Sequence, residues 1–150
     1  MIVGFTGTRN GLSITQWKVL ANTITRLSIR PQLAVHGDCK GADASFHEEM
    51  QKAGVPIRIR PCDIKATRVH CKGAVETFPE EKPLDRNVKI VEDCHVLIAC
   101  PGRMVEEQRS GTWHAVRSAR KVKRPTIIIW PNGCIQVENG AGDLLAISES

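Results

Sequence analysis

Apolar positions along the chain fall into two alternating rhythms. Short, nearly continuous apolar runs at residues 2–6, 33–36, 96–100 and 125–130 predict strands covered on both faces. Between them, apolar residues recur at intervals of three and four. Ile14, Trp17, Leu20, Ala21, Ile24 and Leu27 form one such stripe, with Ser13 placed to cap it, and predict a helix. Ala42, Phe46, Met50 and Ala53 mark one face of a second helix, stopped by Gly54 and Pro56. Two more helices are predicted over 84–92, with Val88 and Val91 toward the sheet, and over 112–121.

The Ile-Arg-Ile-Arg run at 57–60 alternates instead, which predicts a third strand at a sheet edge. Residues 62–83 hold no period for long and read as a loop with a short helix, either a lid over a ligand or a variable surface loop. After a turn at 131–133, the tail from Cys134 holds Val137, Leu144, Leu145 and Ile147, enough for a small strand or a docked helix.

Strands alternating with amphipathic helices require right-handed crossovers and therefore a parallel sheet. The predicted fold class is α/β: one three-layer domain over residues 1–133 around a mainly parallel five-stranded sheet, with residues 134–150 as an extension packed on it. Such sheets bind ligands beyond the carboxyl ends of their strands, where strand order reverses. That rim is where the chain keeps its glycine-rich polar segments. They are Gly4-Phe5-Thr6-Gly7-Thr8-Arg9, His36-Gly37-Asp38-Cys39-Lys40-Gly41, and, beyond Pro101-Gly102, Arg109-Ser110-Gly111-Thr112.

Each segment offers anion-binding chemistry with a plain structural alternative beside it. Thr6, Gly7, Thr8 and Arg9 supply backbone donors, hydroxyls and a guanidinium that can fork onto phosphate; the alternative is a glycine turn with an exposed Arg. Gly37 and Asp38 are placed to reach a ribose or a base, and Asp43 to support the first turn of its helix. Lys40 suits a phosphate or an ordinary polar turn, while His47 and Glu48 read as solvent-facing. Ser110, Gly111 and Thr112 open a helix whose first N–H groups are free, or simply cap it. Glu106 and Glu107 precede that turn and are candidate acids or bases if burial tunes them. Neither GxGxxG nor GxxxxGK[ST] is present.

Composition narrows this picture moderately. The chain has 150 residues and a formal charge of +5, a weak preference for phosphorylated ligands. Its only basic cluster, Arg117, Arg120, Lys121, Lys123 and Arg124, lies at a helix end where cations are favourable anyway, so a solvated helix terminus outweighs a nucleic-acid patch. Six cysteines without CxxC or Cys–His spacing predict neither a disulfide framework nor a metal site, and no cofactor is expected. The first strand begins at residue 2 and no apolar run is long enough for a membrane, so a cytoplasmic protein is expected.

The glycine segments, together with Gly41-Ala42-Asp43 and Asp85-Arg86-Asn87, resemble a Rossmann-like nucleotide-binding superfamily over residues 1–132. That superfamily includes the DNA-processing protein DprA, the LOG-type phosphoribohydrolases once labelled lysine decarboxylases, and short bacterial and phage proteins, which this chain resembles most. The LOG-type resemblance implies cleavage of the bond between a base and ribose 5′-monophosphate, with Arg86 at the position of the family's arginine and Thr112 at that of its threonine. Ala115 stands where that family has a glutamate, and residues 103–110 are inserted. Glycoside cleavage needs a carboxylate, so an enzyme of this kind would draw it from Glu106, Glu107 or Asp38.

The first functional expectation is binding of a nucleotide or nucleotide-sugar phosphate at the carboxyl rim, as a ligand sensor. The alternative is a nucleoside 5′-monophosphate N-glycosidase. DNA binding ranks third, since a chain with no Tyr and three Phe lacks a stacking platform. Exposed helix faces also leave room for a homo-oligomer.

Overall fold

Seven strands, not five, hydrogen-bond into one sheet in the order β4-β3-β2-β1-β5-β6-β7 in the computed structural model, which describes residues 1–146. They are β1 (Ile2–Gly7), β2 (Leu33–His36), β3 (Ile57–Ile59), β4 (Glu76–Thr77), β5 (Val96–Cys100), β6 (Thr126–Ile129) and β7 (Ile135–Glu138). All neighbours pair in parallel except β6 and β7. The two additional strands are the edges. β4 is two exposed residues inside the aperiodic 62–83 segment, so β3 is not the edge its alternation predicts. β7 comes from the tail, turned back on β6 through residues 131–133. Ile147 lies outside the described residues.

Among the described residues, four α-helices cover the sheet: α1 (Ile14–Arg26), α2 (Ala42–Lys52), α3 (Pro83–Asp93) and α4 (Gly111–Lys121). Val3 and Phe5 of β1 pack in one core with Leu20 and Ile24 of α1 and Phe46 and Met50 of α2, and the Phe5 and Phe46 rings stack at 4.4 Å. Val35 and Leu97 share a second core with Ile90 and Val91 of α3 and Ala115 and Ala119 of α4. Burying each large side chain contributes about 1.5–3 kcal/mol, so these two layers dominate stability. In α3 the buried stripe runs through Arg86, Asn87, Ile90 and Val91; Val88, one position past Asn87, sits at its edge and is exposed.

Local caps agree with the sequence. Ser13 and Gln16 form a reciprocal capping box on α1. The buried Gln16 amide also donates to the carbonyls of Pro101 and Ile129, at 2.9 and 2.8 Å, tying together the ends of β5 and β6. The tail is stitched to the end of α1 where Ser28 N–H donates to Leu144 O and Ala146 N–H to Arg26 O. All six cysteines are free thiols. No helix among the described residues is long and apolar enough to cross a membrane.

Candidate functional site

Strand order reverses between β1 and β5, and the glycine segments meet at the carboxyl end of that boundary. Thr8 N–H donates to Cys100 O at 3.0 Å, extending β1 along β5 into the turn. Ala42 N–H, opening α2, donates to Thr8 O at 3.0 Å. Gly41, at φ 89°, adopts the left-handed backbone and lies so close to the Thr8–Arg9 backbone that any side chain would collide with it. A Cβ at Gly7 would stand 2.5 Å from that of Ala42. The result is a cleft of about 370 Å³ walled by the three strand ends and the starts of α2 and α4, with α3 along one side.

Donors converge on this cleft. Ser110 caps α4, its hydroxyl accepting from Trp113 N–H at 3.3 Å. The cap leaves the preceding N–H groups of Gly111 and Thr112 without a partner among the described residues, at the positive end of the helix. Ser110 therefore fills its structural role while the donors beside it stay open. Thr6 and Thr112, both buried and lining the cleft, make no side-chain hydrogen bond among the described residues. Arg9 and Arg109 line its rim and are exposed; Lys40 is exposed and outside it.

Arg86 is buried beneath the cleft, 5% exposed. Its guanidinium donates to Gly37 O at 2.9 Å, to Asn87 Oδ1 at 2.8 Å and to Cys39 Sγ at 3.6 Å. No carboxylate among the described residues comes within ion-pair distance of it. Asn87 passes the connection on, its amide donating to Gly111 O at 3.3 Å and so tying the start of α4 to α3.

Of the two aspartates after β2, it is Asp43 and not Asp38 that lines the cleft. Asp38 faces away from the cleft: Oδ2 takes both Arg68 Nε and Nη2, and Oδ1 takes Cys71 N–H at 2.8 Å. Burial pushes its carboxyl up, but the Cys71 and Arg68 donors outweigh this and hold it below the usual range. Its left-handed backbone, φ 58°, turns the side chain to that side. Asp43 instead lines the cleft, 4% exposed, with Oδ2 accepting from Cys39 N–H at 3.0 Å. Burial pushes it up to about 6, against the Cys39 and Gly37 backbones and Arg86. Its helix-start position suggested only a local role; the cue that would have singled it out is the packing of α2 onto β1, which is not local.

The glutamates divide as well. Glu107 lines the cleft. Glu106 does not: it pairs with Arg120 at 2.8 Å and Arg117 at 3.3 Å on the outer face of α4, and these donors hold its carboxyl below the usual range. Arg120 also forks onto Glu138 of β7, so Arg117 and Arg120, two of the five residues of the basic cluster, are held in ion pairs. Ala115 is 1% exposed in the core under α4, where a glutamate would be buried away from the cleft.

None of residues 62–83 lines the cleft. They dock against the β2 turn, with Lys40 N–H on Thr67 O and Val69 N–H on Asp38 O. A buried histidine pair completes this contact, and His47 is not solvent-facing. Asp38 N–H donates to His36 Nδ1 at 2.9 Å, so neutral His36 carries its proton on Nε2 and gives it to His47 Nδ1, 2.8 Å away. His47 Nε2 then donates to Lys72 O at 2.7 Å. The ligand atoms of His36, His47 and Cys71 lie within 4.8 Å of one another. A metal on His36 Nε2 would nevertheless require a proton on Nδ1, which faces the Asp38 N–H, so this group does not fit one as arranged.

No protein-family model matches the chain, and no curated protein matches it at a significant level. Solved structures do. A molybdenum cofactor binding protein from the phototrophic bacterium Rippkaea orientalis superposes with a TM-score of 0.65 at 19% identity, over 86% of this chain and 76% of that one. The structural-genomics target TM1055 gives 0.59 at 13% identity, over 83% and 71%. DNA processing protein A (DprA) from Streptococcus pneumoniae gives 0.63 at 20% identity, over 84% of this chain and about half, 49%, of that one. At these identities the likeness is one of fold: the chain has the Rossmann-like architecture shared by these proteins.

Proposed function

We propose that the cleft binds a nucleotide or nucleotide-sugar through its phosphate, and that the protein acts as a ligand sensor. One observation carries this reading. Arg86 is a buried cation without a carboxylate partner, facing the same cleft as the open N–H groups of Gly111 and Thr112. An unneutralised buried charge is costly, and an anion entering here would meet the cation, the helix terminus and two unengaged hydroxyls together. The fold alone would not choose the ligand, since the neighbours' names point to different ones. Calorimetric titration with nucleoside mono- and diphosphates and nucleotide sugars tests the reading. Binding that weakens in Thr112→Val supports it, and no binding across the panel overturns it.

A second reading is hydrolysis of a nucleoside 5′-monophosphate at its N-glycosidic bond. Glu107 favours it, as a carboxylate in the cleft lining that can serve in place of the one Ala115 lacks. Release of free base from a nucleoside monophosphate panel, abolished in Glu107→Gln, is the expected result; tight binding without release leaves only the sensor.

A further inference from the structure

We propose that Asp43 is the specificity residue of this cleft and reads the hydroxyl pair of a ribose on the phosphate-bearing ligand. The inference rests on the phosphate reading above. Asp43 is more than nine-tenths buried, yet lines the cleft. Backbone groups alone hold its carboxylate, Cys39 N–H at 3.0 Å and the Gly37 backbone beside it, and no side-chain donor reaches it among the described residues. Arg86, whose charge acts on it, makes no hydrogen bond or ion pair with it and donates instead to Gly37, Arg60, Asn87 and Cys39. A buried carboxylate is an acceptor with two oxygens, and one left short of donors is completed by a ligand that brings O–H groups.

Its place supports a sugar. Phosphate donors gather at the start of α4, beyond β5 and β1, while Asp43 stands on α2, beyond β1 and β2. A ligand anchored at the first therefore extends across the strand ends toward the second, and the sugar is the part next to a phosphate. The acceptor is strong only when ionised. The charged or titratable groups around it are Arg86 on α3, Cys39, His36 and Asp38 on the β2 side, Cys71, and Cys100 at the end of β5. Burial holds the Cys71 and Cys100 thiols protonated at ordinary pH and His36 neutral, so among these groups it is Asp43 that changes charge near pH 6.

The test compares ribose 5-phosphate with 2-deoxyribose 5-phosphate by calorimetry on the full chain. The two share one phosphate, so phosphate ionisation cancels from their ratio. The expected result at pH 8 is a preference for ribose of about tenfold or more, the size of a hydrogen bond to a charged group. That preference should shrink as pH falls to 5, and collapse in Asp43→Asn at pH 8. No preference in the wild type, one that ignores pH, or one that survives Asp43→Asn overturns the proposal. Should Asp43→Asn fail to fold, the wild-type pH series decides. If neither sugar phosphate nor inorganic phosphate binds, both readings fall; equal binding of the two sugars removes the role of Asp43 alone.

Discussion

Arg86 Nη1 donates to the carbonyl of Gly37, 2.9 Å away and 49 residues earlier in the chain. The contact joins α3 to the end of β2, and it depends on there being no Cβ at position 37, which would overlap the guanidinium. Gly37→Ala should therefore cost about 1–3 kcal/mol, as overpacking of a tight site does. Urea denaturation measures it, and a neutral substitution would show that the guanidinium moves aside freely.

Removing the cation itself separates stability from binding. Arg86→Met leaves Gly37 O and Asn87 Oδ1 short of a donor, a loss of about 1–3 kcal/mol. It should also reduce phosphate affinity by about tenfold or more, because a charge-assisted contact is lost. Unchanged affinity would mean that Arg86 only supports the fold.

Thr112→Val keeps the volume of a buried helix residue and removes a hydroxyl that has no partner among the described residues. Little stability should be lost in a thermal melt, while affinity for a nucleoside monophosphate falls several-fold, by about one neutral hydrogen bond. Ser110→Ala acts in the opposite sense. It removes the cap of α4 and should cost about 1 kcal/mol of stability.

Two buried groups oppose each other in acid. Burial and the neighbouring His47 push His36 from its ordinary 6.5 down to about 3, so the unfolded chain binds more protons between these values and stability falls as pH drops through them. Asp43 is raised from 3.8 to about 6, so the folded chain binds more protons between those values, and the stability it adds at low pH is lost as pH rises through about 6. In Asp43→Asn the second effect disappears. The variant should gain on the wild type as pH rises from 4 to 6, by at most about 1.4 kcal/mol per pH unit. Denaturation at several pH values checks this; a stability difference independent of pH would show Asp43 ionised throughout.

Placing at position 115 the glutamate that LOG-type enzymes carry should not add a carboxylate to the cleft. Ala115→Glu places a carboxyl in the packed layer between α4 and the sheet, and a loss of about 3 kcal/mol or more is expected for a charge buried without a partner. Glu106→Gln, by contrast, touches only an exposed ion-pair cluster and should stay within about 0.5 kcal/mol of wild type. A stable, base-releasing Ala115→Glu variant would refute the placement of this position in the core.

Much of this molecule was written in its local patterns. Residues 2–6, 33–36 and 96–100 are short apolar runs, and strands buried on both faces need such runs wherever they lie in the chain. Because each glycine segment follows one of these strands, parallel pairing alone carries all three to one rim. The tertiary structure decided what local pattern does not encode. β4 exists as a strand only through the neighbour it pairs with, since two exposed residues at 76–77 carry no periodicity of their own, and for the tail pairing with β6 made residues 135–138 the small strand that its pattern left as one of two options. The choice of acid was settled the same way. Asp38 and Asp43 are five positions apart with similar surroundings in sequence. A left-handed turn and the docking of Arg68 and Cys71, some 30 residues on, withdraw Asp38, while the packing of α2 against β1 leaves Asp43 facing the cleft. Burial and hydrogen bonding between distant segments set what a carboxylate can do, and those are properties of the folded chain.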